Sequence, residues 1–229
     1  EKMRQEFTAN VSHELKTPLT SISGYAELIE TGIAKPEDTP GFARKIHVEA
    51  SRMIQLVNDI LQLSHLDNVS ETGAAPAMET VDLLDVAREC VERQKVNARH
   101  SYISLTYLGE SAPVTGSRVL LDELCQNLCD NAIRYNRPGG KVQIITACTR
   151  DGHCTLTVKD NGIGIPKEAQ TSVFERFYRV DKSRSKATGG TGLGLAIVKH
   201  IARIHNARIK LDSVVDEGTT ITVIFETAS

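Results

Sequence analysis

Residues 10–18 read Asn-Val-Ser-His-Glu-Leu-Lys-Thr-Pro and set an imidazole, a carboxylate and a hydroxyl within one helical turn: His13, Glu14 and Thr17. A neutral imidazole is a nucleophile near neutral pH, because its ordinary pKa lies near about 6.5. A carboxylate bonded to one ring nitrogen leaves the other nucleophilic. Apolar residues at Phe7, Val11, Leu15, Pro18, Ile22, Tyr25 and Ile29 alternate four and three apart, which is a helix seam. His13 lies two residues from both Val11 and Leu15, about 200° of rotation, so it points away from the seam. Thr17 follows at i+4 on the same outward face. Pro18 has no N–H, so the carbonyl of Glu14 loses its helical donor and the helix is loosened beside His13. The pattern suits a nucleophile on display; the plain alternative is a solvated surface histidine.

Three later segments suit a nucleotide. In Asn127-Leu128-Cys129-Asp130-Asn131-Ala132-Ile133-Arg134-Tyr135, the two asparagines share a helix face. Their amide oxygens can ligate Mg²⁺ and their amide donors can reach phosphate or ribose. Asp160-Asn161-Gly162-Ile163-Gly164-Ile165-Pro166 offers a carboxylate for an exocyclic amine, with glycines that let a flat ring approach the backbone. Gly189-Gly190-Thr191-Gly192-Leu193-Gly194-Leu195 opens a helix whose free N–H groups and dipole favour phosphate. It is not a Walker A loop, because no Lys-Ser/Thr follows the last glycine. Phe174-Glu175-Arg176-Phe177-Tyr178-Arg179 and the polar, cationic stretch from Val180 to Thr188 read as a mobile lid over an anionic ligand.

The rest of the chain must position these groups. Its 229 residues suit one large or two modest domains. The net charge of −2 argues against general affinity for nucleic acid or anionic membrane. No apolar run approaches the roughly 18 residues of a membrane helix. The chain starts inside a charged helical pattern, which implies a first helix that continues upstream. Cys90, Cys125, Cys129, Cys148 and Cys154 form no Cys-x-x-Cys and no zinc spacing, so they are expected to be reduced, mostly buried thiols.

Residues 1–68 read as two amphipathic helices, Lys2 to Thr31 and a second carrying Ile46, Ala50, Met53, Val57 and Ile60, widened by Leu56 and Leu63. Such a hairpin cannot bury its stripe alone, so a homodimeric four-helix bundle is expected. Residues 69–79 are small and polar, a linker. Residues 80–229 alternate helices and strands: helices at 82–99, 118–135 and 193–205, strands at 102–108, 141–148, 154–158, 208–214 and 219–225. The fold class is α+β, a helical hairpin followed by an α/β sandwich with helices on one face of a mostly antiparallel sheet.

The order His-Glu-Leu-Lys-Thr-Pro, Asn-x-x-x-Asn-Ala, Asp-x-Gly-x-Gly, Phe-x-x-Phe and Gly-x-Gly-Leu-Gly closely resembles the catalytic core of sensor histidine kinases of bacterial two-component systems, most like the PhoR/WalK type. The resemblance covers essentially the whole chain. It implies a phosphoacceptor and dimerisation domain at 1–68, and at 80–229 a GHKL-type ATP-binding domain of the histidine kinase/Hsp90/gyrase kind. It makes His13 the phosphoacceptor, Glu14 its polarising acid and Thr17 the holder of a hydrolytic water. Asn127 becomes the magnesium ligand, while Asn131, Arg134 and Tyr135 line the nucleotide. Asp160 accepts from the adenine amine beside Gly162 and Gly164. Arg179, Gly190, Thr191, Gly192, Leu193 and Gly194 contact phosphates. The implied activity is ATP- and Mg²⁺-dependent autophosphorylation of His13, transfer to an aspartate of a response regulator, and phosphatase action on that regulator. The fragment would be the cytoplasmic portion of a protein anchored in the bacterial membrane upstream, with no nucleic-acid partner and no membrane contact of its own. One departure is Gly116-Ser117, where the family often has Asp after the Gly; serine is expected to cap the helix instead.

Two rivals stay open on sequence alone. One is an ATPase or serine kinase of the gyrase, Hsp90 and MutL group, against which the His13 hairpin argues. The other is a dimeric scaffold that binds without turnover, against which the intact Asn127, Asp160 and glycine loop argue.

Overall fold

The computed structural model describes residues 2–72, 76–180 and 190–226, with the side chains of residues 2–6 and 69–72 outside that description. They form two compact units, residues 1–62 with the short stretch at 190–191, and the chain from Leu63 onward.

The first unit is built on α1 (Lys2–Glu30) and most of α2 (Thr39–Thr72). α1 stays helical through Pro18, which is itself buried; the expected loosening does not interrupt the helix. Tyr25 of α1 stacks on Phe42 of α2 with ring centroids 5.6 Å apart, and Lys45 Nζ lies 5.2 Å from the Tyr25 ring. This clip near the loop fixes the hairpin, since offset aromatic stacking and cation–π contact add to the apolar burial. Leu56 is buried, whereas Ile54, Val57 and Leu61 are exposed. α2 runs to Thr72, so the polar residues after Asn68 continue the helix where the sequence suggested a linker.

In the second unit, β1 (Glu79–Asp82) pairs antiparallel with β3 (Pro113–Gly116). Asp82 caps α3 (Leu83–His100) by accepting from the Leu84 N–H at 2.9 Å. β2 (Ser104–Gly109), β4 (Lys141–Cys148), β5 (His153–Asp160), β6 (Arg208–Val214) and β7 (Gly218–Glu226) form one sheet in the order β2-β4-β5-β7-β6. β2 and β4 are parallel and the other pairs antiparallel. Val142, Ile144, Leu156, Val158, Ile221, Val223 and Phe225 alternate onto one face and are buried. α3, α4 (Arg118–Arg134) and α5 (Gly194–Ile204) supply the opposing apolar faces, among them Val86, Leu124, Leu128, Ile197 and Ile201.

The cysteines correct the sequence reading. Cys148 and Cys154 are joined by a disulfide, while Cys90, Cys125 and Cys129 are free and buried. The pair sits directly opposite across the β4–β5 ladder, where the tight turn at Gly152 brings the strands back on themselves. An odd count without a short motif conceals such a cross-strand pair.

Candidate active site

His13 is exposed on α1, with Thr17 one turn on. Glu14 faces Arg52 of α2 at 3.9 Å, so its carboxylate is held on the hairpin side. Thr17 Oγ1 donates to the His13 carbonyl at 3.3 Å, the back-bond common for helical threonine. That bond uses the hydroxyl proton and leaves oxygen lone pairs outward.

The second unit assembles its groups around α4. Asn127 Nδ2 donates to the Glu123 carbonyl at 3.0 Å, which turns Oδ1 toward the start of α5. A Cβ at Gly194 would lie 3.0 Å from that Oδ1 and 3.5 Å from Asn131 Nδ2, so the first helical residue of α5 abuts both asparagines. At the far end of α4, the Tyr135 carbonyl accepts from the Ile163 N–H at 3.1 Å and ties down the Asp-x-Gly-x-Gly loop. Arg134 and Tyr135, at that end, are half-buried. Gly164 has φ +69, and a Cβ there would run into the Val214 carbonyl; only glycine fits.

Asp160 ends β5. Its Oδ1 accepts from the Gly162 N–H at 2.8 Å and the Thr219 N–H at 3.2 Å. Burial raises its pKa above the ordinary carboxylate value, while the two backbone bonds pull the other way. Oδ2 has no such bond and is the oxygen available to a ligand amine.

The glycine loop packs on the Phe-x-x-Phe segment: the Phe177 N–H donates to the Gly192 carbonyl at 2.9 Å, and Gly192 takes φ +75. Gly192, Leu193 and Gly194 therefore belong to the second unit with Asn127 and Asp160. Gly190 and Thr191 are grouped with the first. There Thr191 Oγ1 donates to Asp59 Oδ2 at 2.6 Å, and Gln55 Nε2 reaches Asp59 Oδ1 at 2.7 Å. Arg179 is half-buried. Of the stretch from Val180 to Thr188 expected to form a cationic lid, residues 181–188 lie outside the described residues. Among the described residues no group of three His, Cys, Asp or Glu could hold a metal. The Asn127 amide oxygen, together with phosphates and water, is a donor set that could hold a hard cation such as Mg²⁺.

Sequence reasoning missed two polar anchors of α4. Gln94 of α3, almost wholly buried, donates to Asp130 at 2.6 Å. His205, after α5, accepts the Ser117 N–H on Nε2 at 3.0 Å. The Ser117 hydroxyl makes no capping bond, contrary to expectation; its backbone is held instead.

Residues 116–229 match the family model described as histidine kinase-, DNA gyrase B-, and HSP90-like ATPase, and residues 3–69 match the His kinase A (phospho-acceptor) domain. The chain is 44% identical over 228 residues to the sensor-like histidine kinase SenX3 of Mycolicibacterium smegmatis, a match covering 97% of this chain and 57% of SenX3. It thus spans a little over half the length of that relative. The solved mycobacterial sensor histidine kinase MprB is 32% identical with a TM-score of 0.57, over 66% of this chain and 97% of that one. Histidine kinase ThkA, solved in complex with response regulator protein TrrA, shares the fold at a TM-score of 0.75 and 23% identity, over 97% of this chain and 61% of that one.

Proposed function

Because the chain belongs to the sensor histidine kinase family, we propose that it transfers the γ-phosphoryl group of ATP to His13 and then to an aspartate of a response regulator. The observation that carries this reading is the convergence on α4: Asn127 and Asn131 beside Gly194 at the start of α5, with the Asp160 loop tied to Tyr135.

Adenine is recognised by Asp160, whose fixed Oδ1 leaves Oδ2 to accept the exocyclic amine. Arg134 and Tyr135 flank the nucleotide, and Arg179 with the Gly190–Gly194 loop meets the phosphates through charge and backbone N–H groups. Asn127 would hold Mg²⁺, which when bound neutralises phosphate charge. His13 attacks in line; a nitrogen–phosphorus bond forms, the bond to the β–γ bridging oxygen breaks, and ADP leaves. Such transfer needs mainly positioning and charge neutralisation. The exposed ring supports both attack and later access for a regulator, and ThkA, caught with a response regulator, supports that class of partner. The homodimer through residues 1–68, the cytoplasmic setting and an upstream anchor belong to the same reading. Among the described residues no helix is long and apolar enough to cross a membrane.

Incubation with γ-labelled ATP and Mg²⁺ tests the proposal. The expected product is an acid-labile, base-stable phosphoprotein. His13→Gln should lose the label and still bind ATP within a few-fold; label retained on that variant rejects His13. Phosphatase action is expected as well, with Thr17 lone pairs orienting a water. Thr17→Ala should slow decay of the phospho-regulator and spare autophosphorylation; equal decay with both proteins assigns Thr17 to its back-bond alone.

A further inference from the structure

α4 and α5 run antiparallel and come close at both ends of α5. Gly194 abuts Asn127 and Asn131, and His205, one residue past α5, holds Ser117, the residue before α4. From Ser117 to Asn127 is 10 residues, and from Gly194 to His205 is 11. At about 1.5 Å per helical residue the two spans match, so the contacts are rungs of one ladder. A slip at the His205 rung would shift α4 along α5 and so alter the Asn127 rung.

The His205 ring is fixed on every side. Nδ1 donates to the Ile201 carbonyl at 2.8 Å, so Nε2 is the acceptor and the ring is neutral. Phe225 of β7 meets it edge-on with centroids 6.3 Å apart. Gly116 of β3 lies so close that a Cβ there would stand 2.8 Å from ring Cδ2, and the same Cβ would touch Leu121 of α4. None of these groups titrates. Burial lowers the ring's pKa below the ordinary histidine value, with the Ile201 carbonyl opposing, and no charged side chain contributes.

We propose that His205 is a positioning residue for the nucleotide site: its neutral ring sets the register of α4 against α5, and so the presentation of Asn127 and Asn131 to Mg²⁺–ATP. Protonation turns Nε2 from acceptor to donor and puts two donors face to face at Ser117. The rung then breaks, and nucleotide affinity falls with it. The inference rests on the nucleotide site proposed above.

The test compares the full chain with His205→Gln, whose amide oxygen can still accept from Ser117, and His205→Leu, which fills the space without an acceptor. Binding of a non-hydrolysable ATP analogue with Mg²⁺ is titrated calorimetrically from pH 5.5 to 8. At pH 8, His205→Gln should bind like wild type and His205→Leu about three- to thirtyfold more weakly, the range by which linked packing contacts modulate a distant site. The ratio of wild-type to His205→Gln affinity cancels titration of the analogue itself; burial keeps the ring neutral through the ordinary histidine range, so the ratio should stay level near pH ~6.5 and fall only toward the acid end of the titration. In parallel, amide exchange of Ser117, read by NMR without nucleotide, should be protected in wild type and His205→Gln and unprotected in His205→Leu. Equal affinity of folded wild type and His205→Leu, or parallel pH profiles of wild type and His205→Gln, overturns the positioning role. A wild type that binds no analogue, with Ser117 protection as expected, overturns the nucleotide-site reading instead.

Discussion

Asp160 accepts two backbone N–H groups through one oxygen, and no charged side chain offsets its burial. A carboxylate buried this way weakens the empty fold and strengthens a ligand that brings a donor. Its folded pKa is raised above 3.8, so the folded state holds the proton longer than the unfolded one. Stability therefore falls as pH rises through the window above 3.8 and stays lower at neutral pH. Asp160→Asn keeps an acceptor for Gly162 and Thr219 but presents a donor to adenine. ATP affinity should drop at least about tenfold, the loss of one charged hydrogen bond, and GTP should be a poor substitute for wild type. The same variant should melt higher than wild type without nucleotide at pH 7, an advantage that disappears near pH 3. An unchanged ATP affinity by calorimetry, or a lower melting temperature, contradicts the role given to this carboxylate. Asp160, Asn127 and His13 stood out in the sequence as candidates because the proposed chemistry asks for one residue type at one spacing. His205 was not, because its partner Ser117 lies 88 residues away and a buried histidine has no local pattern.

At the scale of elements, long periodic helices and the β4, β6 and β7 strands were readable because apolar period and turn residues agreed. β1 and β3 escaped because four residues are too few for an alternation to register. The Cys148–Cys154 bridge escaped because it is a property of ladder register, which places the two residues opposite each other, and not of any motif. It closes a short loop, for which the chain-entropy model gives roughly 2 kcal/mol. Replacing both by serine should lower the melting temperature of the second unit by only about 4–8 °C. Under denaturing conditions without reductant, thiol titration should find the three free cysteines, Cys90, Cys125 and Cys129. Five titrating thiols without reductant would mean the β4–β5 hairpin is held by its hydrogen bonds alone.

At the scale of the whole molecule, the compact units do not divide where composition changes. Leu63 and Leu66 are fully buried and count with the second unit, where Asp67 also takes Arg176 Nη2 at 2.7 Å. A fragment starting at Glu79 would strip two core leucines and leave that arginine without its carboxylate. Each buried leucine lost from a packed core costs about 2–5 kcal/mol, so a fragment from Leu63 should melt well above one from Glu79, and both should be monomers. The full chain should behave otherwise. Ile54, Val57 and Leu61 lie exposed on α2, 63%, 41% and 62% open, with Leu19 of α1 at 56%. A single hairpin leaves this apolar surface in water, and a second copy related by two-fold symmetry would cover it. Light scattering of the full chain at micromolar concentration should give a dimer. Ile54→Lys with Leu61→Lys should give a monomer, because each puts a charge where the second copy would pack. A dimer that survives both charges would mean that the copies meet through some other face.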